Sequence, residues 1–207
     1  MGNRKWSLEI SNRKLQTSYW NIPNKMQNHL RELQSQAIQL GATKTKLIAA
    51  SSIVIDERVR LKCLIPLCDK YNRHLMCPPH LPSVEEFRKS LKKYSRALFV
   101  QLSLAKTGKV SKREIKRYGL SLHQIIQQLE RKALFLGYPL AAGLIGGSCK
   151  LCRECVGPAG PCRRPLMSRP SIEGMGIDVI RTAKRIGLPF DFSSPNRLSW
   201  NGLLLID

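Results

Sequence analysis

A chain of 207 residues, 43% of them hydrophobic, is long enough to bury a core of its own and does not need disulfides for stability. No apolar run approaches the ~20 residues that span a bilayer and the first residues lack a signal-peptide apolar segment, so the expectation is a cytoplasmic protein with no membrane span. The balance of 35 Lys and Arg against 14 Asp and Glu gives a formal charge of +21, which favours an acidic partner: a redox protein, a nucleic acid or an anionic substrate.

Residues 1–23 are polar and basic, with Trp6, Tyr19 and Trp20 interspersed, and read as an arm ahead of one domain over 24–207. Met26, Leu30, Leu33, Ala37 and Leu40 share one face of a helix from Asn24 to Leu40, which Gly41 stops, with His29 beside that face as a surface or packing residue. Lys46 to Ile55 reads as a strand, and the alternation Val59, Leu61, Cys63 predicts a second one closing a hairpin. Ser83 with Glu86 and Ser111 with Glu114 are capping boxes that start two helices, the second running to about Leu136 with a possible division at Gly119. His123 on that second helix is expected at the surface. A buried strand, Ala97 to Leu104, lies between them and leads into a basic link from Lys106 to Lys112. Leu140 to Ile145 is a short strand, Ser171 to Ile186 a last helix ended by Gly187, and Leu203 to Ile206 a closing strand. The irregular alternation with a hairpin predicts an α+β domain with a mixed β-sheet, packed helices and two cysteine-rich metal loops.

Seven cysteines, an odd number, fall in two groups, Cys63, Cys68, Cys77 and Cys149, Cys152, Cys155, Cys162, which favours metal ligation over a disulfide framework. The downstream group, C-x2-C-x2-C-x6-C within GGSCKLCRECVGPAGPCRRP, is similar to the bacterial ferredoxin run. Its last gap is longer, however, so Cys162 can close the local site or reach across to the upstream one. Structural zinc uses separated C-x2-C knuckles, and three successive thiols at this spacing suit a 4Fe-4S cluster better. The upstream C-x4-C-x8-C lies in a Pro-punctuated loop. If the downstream four close one cluster, these three hold a second with one iron position left for a substrate or another ligand. Asp69, Asn72, His74 and His80 are the nearest non-cysteine candidates, though loop hydrogen bonds account for each.

The stretches CLIPLCDKYNRHLMCPPHLPSVEEFRK, GGSCKLCRECVGPAGPCRRP and PSIEGMGIDVIRTAKRIG together resemble a domain-of-unknown-function family of predicted metal-binding proteins, found largely in anaerobic bacteria and archaea. The resemblance covers about Lys46 to Ile186. It implies that the seven cysteines are the metal ligands and that Ser171, Glu173, Gly176, Ile177 and Asp178 form a further signature. Read physically, Ser171 can cap the last helix, Glu173 complement a helix dipole, and Asp178 be a solvated or hydrogen-bonded side chain, while Arg163, Arg164 and Arg169 hold an anion or offset cluster charge.

The expected function is that of an iron-sulfur protein with two 4Fe-4S clusters, exchanging electrons with an acidic redox partner or activating a small ligand in anaerobic metabolism. Whether it is an enzyme stays open. The alternatives are a zinc-stabilised module whose cations between Arg88 and Lys116 contact nucleic acid, and a structural metalloprotein of a redox assembly. No Walker loop, dinucleotide fingerprint, nucleophile elbow or C-x3-C-x2-C run is present.

Overall fold

The computed structural model describes residues 23–105, 110–190 and 197–207, so the arm up to residue 22 and residues 106–109 of the basic link lie outside the described residues. Helix α1 (Asn24–Gln39) buries Leu30, Leu33 and Ala37, and Gly41, at φ 104°, turns the chain towards β1 (Lys44–Ala49). His29 packs edge-on against Tyr138, as a packing histidine should.

The hairpin expected next does not form. Asp56 accepts from Arg58 N–H at 3.0 Å and caps a short helix, α2 (Glu57–Leu61), so Val59 and Leu61 lie in a helical turn with Cys63 just beyond it. β1 pairs on one side with β2 (Arg96–Ala105) and stands at the edge of the sheet, and the helical turn set by Asp56 keeps Val59 to Cys63 off its free edge. Both capping boxes are formed, at the starts of α3 (Val84–Leu91) and α4 (Lys112–Phe135). Gly119 does not divide α4, although an interior glycine costs a helix roughly 1 kcal/mol relative to alanine.

β3 (Ala142–Ile145) and β4 (Arg197–Leu205) complete a sheet of order β1-β2-β4-β3. The α+β class is as expected, but the pairing of the four strands is antiparallel throughout rather than mixed; the parallel contact is an isolated bridge between Ile145 and Ser171. Because successive side chains on a strand alternate faces, Leu98, Val100 and Leu102 of β2 meet α1 and α4, while Ala97 and Phe99 meet the opposite layer. α4 sits close on the sheet because Ile126 rests on two glycines: a Cβ at Gly143 or Gly202 would lie 2.6 Å from it.

The opposite layer contains α3, α5 (Val179–Arg185) and the segment before α5. That segment corrects the predicted last helix. Residues Glu173–Met175 form a single 3-10 turn, Gly176 leaves it at φ 81°, and Ile177 bridges Ile55. A helix cannot run through a left-handed glycine followed by a bridged residue, so α5 starts only at Val179, capped by Asp178, which accepts from Arg181 N–H at 2.9 Å. Ser171 therefore caps the 3-10 turn, not α5, accepting from Gly174 N–H at 3.1 Å. The residues expected to face inward, Ile172, Met175, Val179, Ala183 and Ile186, are all buried. No helix among the described residues is long and apolar enough to cross a membrane.

Two side chains of α4 fix the stretch that follows Cys162. His123, expected at the surface, is 0% exposed, and its Nε2–H donates to Met167 O at 2.9 Å. Glu130 accepts from Gly143 N–H and pairs at 2.7 Å with Arg169, which is buried and also donates to Ser168 O at 2.7 Å. Arg169 is thus a structural latch and not an anion holder.

Burial pushes His123 from 6.5 down to about 4, opposed by its bond to Met167. Between those pH values the unfolded chain binds a proton that the native state refuses, so stability falls as pH falls through that window, by up to about 3 kcal/mol from this group. Urea unfolding as a function of pH is expected to show this component in the wild type and to lack it in His123→Gln; equal slopes in the two proteins would contradict the assignment.

Candidate metal centres

The upstream cysteines sit in an irregular loop between α2 and α3 that its own backbone bonds define. Cys68 N–H donates to Cys63 O at 3.0 Å, Cys77 N–H to His74 O at 2.9 Å, and Asn72, at φ 54°, sends its N–H to Pro78 O at 2.9 Å. These bonds fold the loop back so that Cys63, Cys68 and Cys77 line one cleft of about 660 Å³, open to solvent. Its remaining walls include Lys62, Tyr71, Ser148, Ser171, Glu173 and Ile177.

β3 ends at Ile145, and Gly146 N–H still bonds Asn201 O at 2.8 Å before the chain turns at Gly147 (φ 75°) into the downstream loop. Cys149, Cys152, Cys155 and Cys162 line a second, far tighter cavity of about 20 Å³, shared with His74, Arg163 and Arg164. Cys162 therefore joins its own group. Arg164 N–H donates to its sulfur at 3.4 Å and the thiol donates to Ser168 Oγ at 3.6 Å.

The non-cysteine candidates separate clearly. Asp69 pairs with Lys70 at 2.7 Å on the surface, and Asn72 and His80 are exposed, outside both cavities. His74 faces the four-thiol cavity rather than the three-thiol cleft next to it in sequence, and its Nδ1 is buried without a hydrogen-bond partner. Lys62, Tyr71 and Ser148 of the cleft are not marked by the sequence, because no spacing rule singles them out.

Among the described residues no three His, Cys, Asp or Glu side chains converge closely enough to ligate one ion; the thiols line the cavity walls. Their electrostatics nonetheless suit a cation. Burial pushes the Cys77 thiol up to about 12, and neighbouring Cys68, Cys63 and Glu173 push it further in the same direction. Cys149 is raised by burial and then by Cys162, Cys152 and Cys155, against a hydrogen bond from Leu151 that lowers it; Cys63 is raised by burial and by Cys68. Burial and neighbouring thiols thus make the thiolates of Cys63, Cys77 and Cys149 costly. A soft metal cation removes both penalties at once, whereas without one these three would stay protonated. Seven thiols in these two sets fit thiolate-bound metal by donor chemistry, with Cys149, Cys152, Cys155 and Cys162 for one centre and Cys63, Cys68 and Cys77 for the other.

The two loops are tied to each other by the segment before α5. Ser171 N–H donates to Met76 O at 3.0 Å, and the carboxylate of Glu173 accepts from Ser171 Oγ and from Gly147 N–H, both at 2.9 Å. Glu173 thus joins the start of the downstream loop to the wall of the upstream cleft. Replacement Glu173→Ala leaves two donors without their acceptor and is expected to cost about 1–3 kcal/mol in urea unfolding, with Glu173→Gln, which keeps one acceptor oxygen, closer to wild type. Unchanged stability in both would remove Glu173 from the account.

No curated protein and no solved structure matches the chain at a significant level. A family model does match, over residues 46–206, which take in both cysteine loops and all four strands but the first residues of β1. The chain belongs to the family described as Predicted metal-binding protein (DUF2284).

Proposed function

We propose that the protein carries two iron-sulfur centres with different tasks. One is a coordinatively closed 4Fe-4S cluster on Cys149, Cys152, Cys155 and Cys162 that relays electrons. The other is a 4Fe-4S cluster on Cys63, Cys68 and Cys77, facing the cleft, where a small ligand is activated. The observation that carries this reading is the division of the thiols: four around a near-closed cavity, three along a cleft of about 660 Å³, a size that suits a metabolite. When bound, such clusters supply one-electron chemistry and, with three thiolates, one iron position for a further ligand.

The protein's own contribution is placement. The bond from Arg164 N–H to Cys162 is of the kind that tunes cluster potentials, and Arg163 and Arg164 at the four-thiol cavity offset cluster charge. At the cleft, Lys62 and Tyr71 offer a cation and a hydroxyl to a bound molecule beside the thiols. The formal charge of +21 supports an acidic redox protein as the electron partner, and the proposed setting is the cytoplasm of an anaerobic cell.

Protein purified without oxygen is expected to contain about eight iron and eight sulfide per chain, as two cubanes require. Cys77→Ala and Cys152→Ala should each lower that content to about four while leaving the other centre in place. Stoichiometric zinc without sulfide, in protein made with iron available, would overturn the reading.

A further inference from the structure

Gly119 and Lys150 explain each other. Gly119 is buried in the interior of α4, where alanine would suit the helix better. A Cβ there would lie 2.7 Å from Lys150 Cδ and 2.8 Å from its Cε, so the glycine leaves a slot through which the lysine stem passes. Beyond the slot, the ammonium donates to Ser148 O at 2.9 Å and lies 3.6 Å from where a Cβ on Gly147 would be.

Lys150 lines neither cavity and stands behind their walls, beside residues that line one and residues that line the other. Lys150 follows Cys149 and sits two residues before Cys152, both in the wall of the four-thiol cavity. Gly147 and Ser148, which its ammonium touches, line the three-thiol cleft. Burial works against the charge of Lys150, and the groups that oppose that penalty come from both sides, Cys149 from one cavity and Cys77 and Glu173 from the other. Arg163 and Arg164 line the four-thiol cavity and not the cleft.

We infer that Lys150 is the counter-cation shared by the two centres, and that Gly119 is the opening in α4 that allows its charge to be held there. This rests on the reading of the loops as metal centres. A thiolate-bound centre is anionic, and each electron added makes it more so; a fixed positive charge beside it favours both metal retention and the reduced state. One lysine beside two centres acts on both, so a single substitution is expected to move both in the same direction.

The test compares the full-length, anaerobically purified wild type with Lys150→Gln, Lys150→Arg and Gly119→Ala, by a dye-mediated redox titration followed by electron paramagnetic resonance. Lys150→Gln keeps a donor for Ser148 O but not the charge. It is expected to lower the one-electron reduction equilibrium constant of each centre about tenfold, ~59 mV, while Lys150→Arg retains most of the wild-type potential. Gly119→Ala keeps the charge but displaces it, so it should move the potentials in the same direction by less, with urea stability unchanged or raised. A purely structural lysine gives a different pattern, with lower stability and unmoved potentials, and that pattern overturns the proposal. If the bound metal proves to be zinc, the iron-sulfur reading fails separately, and the charge is then read by metal retention. Lys150→Gln should lose zinc to excess EDTA at least tenfold faster than wild type, and equal loss rates overturn the proposal in that case.

Discussion

Both loops hang from one join, the parallel bridge between Ile145 at the end of β3 and Ser171. Ile145 N–H donates to Pro170 O at 3.0 Å and Ile172 N–H donates back to Ile145 O at 2.9 Å, while Ser171 N–H reaches across to Met76 O at 3.0 Å. Three stretches of chain are thus knitted by backbone bonds whose loss would leave buried polar groups unpaired. The downstream cysteines leave this join within a few residues of Ile145, and the upstream loop returns to it one residue before Cys77. The hydrophobic sheet beneath makes the join rigid: Leu144, Ile145 and Ile172 are each no more than 2% exposed. A rigid anchor for both loops is what a metal centre needs from a protein, since the donors themselves repel one another.

That repulsion gives the site its logic. Burial beside other thiols raises the cost of ionising Cys63, Cys77 and Cys149, and nothing in the hydrophobic core demands it. The fold accepts this cost twice, with four thiols in a tight cavity and three along a cleft, and sets cations around them: Arg163 and Arg164 at the first, Lys62 and Lys70 at the second. Lys150, threaded past Gly119, is the cation assigned to both. The high formal charge of the chain is then partly a local matter, since thiolate ligands add negative charge that a residue count omits.

Much of this was legible in the sequence, where local chemistry dictates local structure. The two capping boxes, the apolar faces of α1 and α4, the strand from Ala97 and the loop character of both cysteine segments follow from short-range patterns that tertiary packing reinforced. Misreadings arose where partners distant in sequence decide. Val59 and Leu61 alternate like a strand, but Asp56 caps a helix there. Ile172 to Ile186 has helical spacing, yet Gly176 and the bridge from Ile177 to Ile55 break it. His123 reads as a surface residue until Met167, 44 positions on, folds over it. Gly119 reads as a helix breaker until Lys150 arrives from another loop. The assignment of Cys162 to the downstream group also needed three dimensions, since its longer gap is compatible with either site.

Metal-edge X-ray absorption on protein purified without oxygen tests the central claim most directly, because it reports the metal's identity and its neighbours together. Two cubanes predict an iron edge with a sulfur first shell and a clear metal–metal scattering shell, and replacing Cys77 by alanine should leave the local environment of the remaining iron unchanged. A zinc edge with sulfur neighbours at about 2.3 Å and no metal–metal scattering would contradict the account.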